Sequence, residues 1–367
     1  MRKISYLLFI FLLVLFSCKR DEPIVIDDHV TTPFKLPNPR YFPTELNIPA
    51  DNPMTVEGVK LGRYLYYDGR LNGRFHCDSM QSCYSCHQQE RGFVSKNSSG
   101  KGIGVKGIIS PHTVMPHVNL VYRSEPTFAW AGGLATLEDV VKIVFSLDFE
   151  FATTHEIAVE TINSISIYPP MFKDAFGTEE ITIDRIAKAI AQFVRTMISY
   201  NSRFDQFVRH EINLTPAEIR GYELFMSEKA DCFHCHGEPA LLTGSLFMNN
   251  AKDSLFAGDD DRFSVTGDPA DYGKYFTPSL RNVALRNAFM HDGRFKSLEE
   301  VIDHYSHGLV NSPYVDPLMK YVAFGGTQLT ESEKADLLAF LNTFTDDQFI
   351  NNPDFSKPPD LKTGCPD

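Results

Sequence analysis

The chain has 367 residues, 43% of them hydrophobic and 22% charged. That is enough for two domains with separate cores, and it excludes a fibrous or largely disordered protein. The formal net charge is −12 with no basic face in evidence, so nucleic acid is excluded as an expected partner. The acidic surface either is simply solvated or draws in a basic partner.

The N-terminus reads as a targeting segment. Arg2 and Lys3 precede an apolar run from Tyr6 to Phe16, too short to span a membrane comfortably. The run ends in Leu15-Phe16-Ser17-Cys18, which is similar to a bacterial lipobox, although Phe16 stands where a small residue is usual. Residues 1–18 are expected as a lipoprotein signal with lipid on Cys18. An ordinary signal peptide with an incidental cysteine is the alternative. The polar, proline-containing stretch 19–50 then acts as a tether on the periplasmic side of the envelope.

Five helices are expected in the body of the chain. Segments 55–67, 137–146 and 181–199 carry apolar residues at helical spacing, the last most clearly. Segment 215–229 opens with Thr215 as N-cap, Pro216 at the first helical position and Glu218 closing a capping box. Segment 330–344 repeats that logic with Thr330 and Glu333. Between them lie long loops, 92–119 and 240–279, of a length that suits chain wrapped around a large body.

The decisive feature is duplicated: Cys83-Tyr84-Ser85-Cys86-His87 and Cys232-Phe233-His234-Cys235-His236. In this spacing two thiols form thioethers with the vinyl groups of haem, and the adjacent histidine supplies the proximal ligand. A zinc site would need four ligands to converge, and a dithiol redox site has no use for a histidine fixed after each pair. The organisation expected is therefore mainly α: two tandem cytochrome c-like domains, each binding one covalent haem c. They run from 51–205 and 206–350, with the boundary near 200–215 and a tail over 351–367. Of seven cysteines, Cys77 and Cys365 are left over and could pair in an oxidising compartment.

With both motifs in hand, residues 55–350 resemble the bacterial dihaem cytochrome c peroxidase family, which includes the methylamine dehydrogenase maturation enzymes. The resemblance rests on Leu61 to Leu71 (LGRYLYYDGRL), Ser82 to His87, Gly92-Phe93, Thr277 to Leu285 (TPSLRNVAL), Met290 to Phe295 (MHDGRF) and Ser297 to Val301. It implies that hydrogen peroxide meets the N-terminal haem, that the second haem passes in electrons, and that a tryptophan lies between them. Trp130 is the one tryptophan of the chain, although the family's Trp-Asp-Gly-Arg is here Trp130-Ala131-Gly132-Gly133. The family's catalytic glutamate, twenty residues on, falls at Glu150.

The resemblance also frames the departures. The family's distal histidine on the peroxidatic haem has no counterpart in Gly104-Val105-Lys106-Gly107, and neither His112 nor His117 falls on the ligand position, so this iron is expected open. Counting fourteen residues from His291 gives Tyr305 as distal ligand of the second haem, with Met290 as the alternative. Methionine would raise the potential, whereas a tyrosine oxygen favours ferric iron. The family's interdomain calcium is doubtful here, because Thr113 replaces its asparagine and Arg286 puts a cation beside it. The run Asp259-Asp260-Asp261 is a second calcium candidate, more simply read as a solvated loop.

The function implied is reduction of peroxide to water, with electrons from a small c-type cytochrome or cupredoxin. The alternative is a dihaem oxidase that uses peroxide to oxidise a protein or small molecule through ferryl haem. A pure electron carrier is the third reading, which Glu150 and the open first haem oppose. A homodimer is compatible with the sequence but not specified by it.

Overall fold

A computed structural model describes residues 29–123, 127–237, 247–256 and 261–363. Residues 1–28, with the expected leader and Cys18, the terminal Cys365 and two of the three aspartates at 259–261 lie outside the described residues. The third, Asp261, is buried and its carboxylate accepts the Gly273 amide.

The described chain is mainly helical. The first half holds α1 (Val56–Tyr67), α2 (Cys83–Cys86), α3 (Leu137–Ile143), α4 (His155–Ser164), α5 (Tyr168–Phe176) and α6 (Ile183–Arg195). The second holds α7 (Arg203–Val208), α8 (Pro216–Phe225), α9 (Phe233–His236), α10 (Arg262–Thr266), α11 (Leu298–His307), α12 (Glu331–Asn342) and α13 (Asp347–Ile350). Two antiparallel two-stranded ribbons, β1 (Lys101–Ile103) with β2 (Ile109–Thr113) and β3 (Phe247–Met248) with β4 (Tyr275–Phe276), punctuate the long loops.

Caps account for the helix starts. Thr55, Thr136, Thr182, Thr215 and Thr330 are extended residues whose hydroxyls accept an amide of the first turn, so the observed starts fall within two residues of those expected, and at Leu137 on it. The second expected helix, α3, stops at Ile143 because the chain then tightens into turns, with Phe145 bonded to Lys142 and Ser146 to Ile143. Helices α4, α5, α7 and α11 lie outside the five segments expected from periodicity. In α5, Pro169 and Pro170 sit in the first turn, where a missing amide proton has no intrahelical partner to lose.

Two cores form. The first gathers α1, α3, α4, α5 and α6 around Leu61, Leu65, Tyr66, Phe145 and Phe193; the second gathers α7, α8, α11 and α12 around Phe204, Phe225, Phe340 and Phe344. Each is closed by the same device. A Cβ on Gly62 of α1 would lie 1.9 Å from the Ala189 carbonyl of α6, and one on Gly221 of α8 would lie 2.0 Å from the Asp336 carbonyl of α12. Only glycine lets the two backbones touch.

The halves are joined through Asp346. Its Oδ2 accepts Ser199 Oγ and the amides of Tyr200 and Asn201, all at 2.9 Å, while its own amide bonds to Asn282 Oδ1. Residues beyond 350, expected as a tail, return to the first half: Phe355 and Leu361 are buried in its core.

Candidate active site

Helix α2 presents the first thiol pair, its start fixed by the Ser82 amide bonding to Ser85 Oγ at 3.0 Å. Cys83 and Cys86 are free, and burial pushes their thiols up to about 12 and about 11, with the charge of Glu150 adding to both. The His87 Nδ1 faces the Phe93 carbonyl at 3.1 Å, so this nitrogen carries the proton and Nε2 keeps its lone pair. Phe93 is fully buried in a left-handed conformation, φ +63, which aims that carbonyl. Burial lowers His87 to about 4 and keeps it neutral.

His117 stacks on the His87 ring, centroids 3.6 Å apart at 15°, and its Nδ1 lies 3.2 Å from Tyr66 Oη. It therefore lies alongside the proximal ring. His112 points to the other half, edge-on to His291 and Tyr275.

Glu150 ends a tight turn after α3. The Val105 amide bonds to its carbonyl at 3.0 Å, and a Cβ on Gly104 would lie 2.3 Å from the Phe149 carbonyl carbon. The run lacking a distal histidine is thus the run that lets the Glu150 backbone approach. Burial alone raises the half-buried carboxyl to about 7. A Cβ on Gly102, two residues before Gly104, would lie 3.2 Å from Cys86 Sγ, so the run that holds the Glu150 backbone also meets the attachment pair.

Trp130 lies at the junction of the halves. Its Nε1 donates to the Thr113 carbonyl at 2.8 Å, its carbonyl accepts the Phe276 amide at 2.9 Å, and its ring meets His291 edge-on. Thr113 is occupied on every side: its amide donates to the His291 carbonyl at 2.7 Å and its Oγ1 to the Met290 carbonyl at 2.8 Å.

The second cavity is lined by Cys232, Cys235, His236, Asn250, Met290 and Tyr305, with Trp130 on its wall. Both thiols are free and pushed up to about 12 by burial, and His236 is lowered to about 4 by burial and then by Arg286. Arg286 is itself lowered to about 10 by burial and donates to the Ser279 carbonyl. Tyr305 Oη and Met290 Sδ, the two ligand candidates, both face this cavity and share one neighbour, Asn250 Nδ2, at 3.1 and 3.3 Å.

The donor sets suit haem better than zinc. Each thiol pair packs against a different core, so the four sulfurs do not converge, and both histidines are neutral. Cys77 is disulfide-bonded, and its expected partner is outside the described residues. Asn250 escaped the sequence reading, and no motif marks it; Thr113 and Gly104 stand out in the sequence only as departures from the family pattern, not for the contacts they make.

The di-haem cytochrome c peroxidase family model matches residues 56–213. The methylamine utilization protein MauG of Methylorubrum extorquens is 31% identical over 306 residues, covering 82% of each chain. The cytochrome c551 peroxidase of Nitrosomonas europaea is 31% identical over 321 residues, covering 85% of each. A solved MauG-like protein associated with microbial copper homeostasis superposes with a TM-score of 0.77 at 34% identity, over 89% of this chain and 99% of that one. The chain belongs to the di-haem cytochrome c peroxidase family and, like it, is an oxidoreductase acting on peroxide with two c-type haems.

Proposed function

We propose that this chain reduces hydrogen peroxide to water beside His87, with Glu150 as the proton carrier and Trp130 on the electron path from the second haem. The attachment residues are Cys83, Cys86 and His87 in the first half, and Cys232, Cys235 and His236 in the second. When bound, the first haem supplies the iron that peroxide coordinates and through which electrons reach it. The residues supply the rest. Glu150 accepts the proton of the inner peroxide oxygen and returns it to the outer one, so that water leaves. The observation that carries this role is a half-buried carboxyl beside the attachment pair, raised to about 7 by burial and so able both to take and to give a proton near neutrality. His117 stacks on the His87 ring, which supports its acting beside that histidine and not as a second ligand to a haem that His87 would hold.

Trp130 touches both halves through Thr113 and Phe276, which supports a relay role. Electrons come from a small c-type cytochrome or cupredoxin, drawn by the net charge of −12. The sequence features of residues 1–18 support lipid anchoring through Cys18 in the periplasmic space. Among the described residues no helix is long and apolar enough to cross a membrane.

A second reading, oxidation of a protein or small molecule at the expense of peroxide, is favoured by Tyr305, whose hydroxyl faces the second cavity as a candidate distal ligand. The discriminating experiment is peroxide turnover by the oxidised, as-isolated protein with a reduced c-type cytochrome as donor. Immediate turnover is expected. Absence of turnover even after partial pre-reduction, with a long-lived oxidised species on adding peroxide, would establish the oxidase reading instead.

A further inference from the structure

We propose that Asn250 selects the oxygen of Tyr305 over the sulfur of Met290 as the distal ligand of the second haem. The inference rests on the reading that the distal ligand comes from this pair. Both candidates lie in one cavity with Cys232, Cys235 and His236, and both touch one amide nitrogen: Asn250 Nδ2 is 3.1 Å from Tyr305 Oη and 3.3 Å from Met290 Sδ.

The chemistry of the three groups makes the contact directional. A thioether carries no proton, so the edge of Asn250 that faces Met290 is its NH2. That group has two protons and serves both neighbours. A tyrosine on iron binds as phenolate, an acceptor that gains from a donated N–H. A thioether binds iron through a sulfur lone pair, and an N–H directed at that sulfur competes for it. One side chain thus favours the oxygen and occupies the sulfur.

The amide is held in place from both sides. Asn250 follows β3 and leads into Lys252, which is buried and paired with Asp253 and with Asp292 at 2.9 Å. Arg294 closes the square, 2.8 Å from each aspartate. The Val310 amide donates to the Ala251 carbonyl at 2.8 Å. Met290 is equally fixed: its backbone is left-handed, φ +68, and its carbonyl and that of His291 are both bonded by Thr113. Neither segment can slide to exchange the ligands without breaking ion pairs or interdomain hydrogen bonds, so the choice is left to the donor.

The test is the ferric absorption and magnetic circular dichroism of the full, haem-loaded protein, with haem content per chain measured alongside. Wild type should show an oxygen-ligated second haem whose signature is lost in Tyr305→Phe. Asn250→Leu, similar in size and without a donor, should gain the red charge-transfer band of methionine ligation and a higher reduction potential. Asn250→Leu combined with Met290→Leu should lose that band. Where Asn250→Leu fails to retain two haems, Asn250→Asp, which turns the donor into an acceptor, carries the same expectation. A variant spectrum identical to wild type, still abolished by Tyr305→Phe, overturns the selection by Asn250 and leaves the tyrosine reading standing. A wild-type methionine band that survives Tyr305→Phe and vanishes in Met290→Leu overturns both.

Discussion

Replacing Glu150 by Gln should abolish the proton transfer while making the protein more stable at alkaline pH. Gln keeps the shape and cannot take a proton, and general acid–base catalysis is worth roughly 10²- to 10⁴-fold. Peroxide turnover should fall by about that factor, with haem content and reduction of both haems unchanged. The stability effect follows from burial. The Glu150 carboxyl is raised from 4.5 to about 7 by desolvation. A carboxyl with a raised folded value favours folding least when it is charged. Its cost is small below pH 4.5, grows through the interval, and is complete above about 7. At ~1.36 kcal/mol per pH unit that cost has an upper bound of about 3 kcal/mol, less whatever solvent screens at the half-buried group. Glu150→Gln should therefore melt several degrees higher than wild type at about pH 8.5 and little higher at about pH 5. Wild-type turnover should fall as pH drops below about 7, since the base must be charged. Unchanged turnover in the variant would refute the catalytic role. A thermal gain equal at both pH values would refute the buried, uncompensated carboxyl.

Trp130→Phe removes the donor to the Thr113 carbonyl and the most readily oxidised side chain at the junction of the halves. After peroxide is mixed with the pre-reduced protein, stopped-flow spectra should show slower oxidation of the second haem; a wild-type rate would remove Trp130 from the path. Gly62→Ala and Gly221→Ala each force a Cβ within about 2 Å of a carbonyl oxygen across a helix pair. Each should destabilise by at least ~1–3 kcal/mol in denaturant or thermal melts, as overpacked contacts do, and an unshifted melt would contradict the close approach.

Much of the site was legible because covalent haem attachment demands a fixed pentapeptide. The two Cys-x-x-Cys-His runs stand each beside its own core, and the caps read at Thr215 and Thr330 are both present. The reading passed over α4 and α11 although Ala158, Thr161 and Ile162 in one and Leu298, Val301, Ile302 and Tyr305 in the other do share a face; each helix has only ten residues, so the stripe is a few residues long. It missed α5 because a Tyr-Pro-Pro start reads as a turn until the first helical position is recognised. The residues that do the positioning were invisible for a different reason. Thr113, Gly104 and Asn250 act through contacts made across long sequence separations. Asn250 reaches Tyr305 55 positions away, and Thr113 reaches Met290 177 positions away. Alignment drew notice to Thr113 and Gly104 as departures, but nothing local shows the contacts that any of the three makes.

The return of residues 349–361 to the first core sets the order of assembly. Phe349, Phe355 and Leu361 are buried with Leu61 and Phe93 of the first half. Tyr67 Oη donates to the Phe355 carbonyl, Arg63 to the Ser356 carbonyl, and Gln89 to the Asn352 carbonyl. Synthesis proceeds from N- to C-terminus, so the half made first cannot close until the second half has been made. A chain interrupted before Phe349 would leave an open seam in the first core, while the second core, which takes nothing from beyond Phe344, could still close.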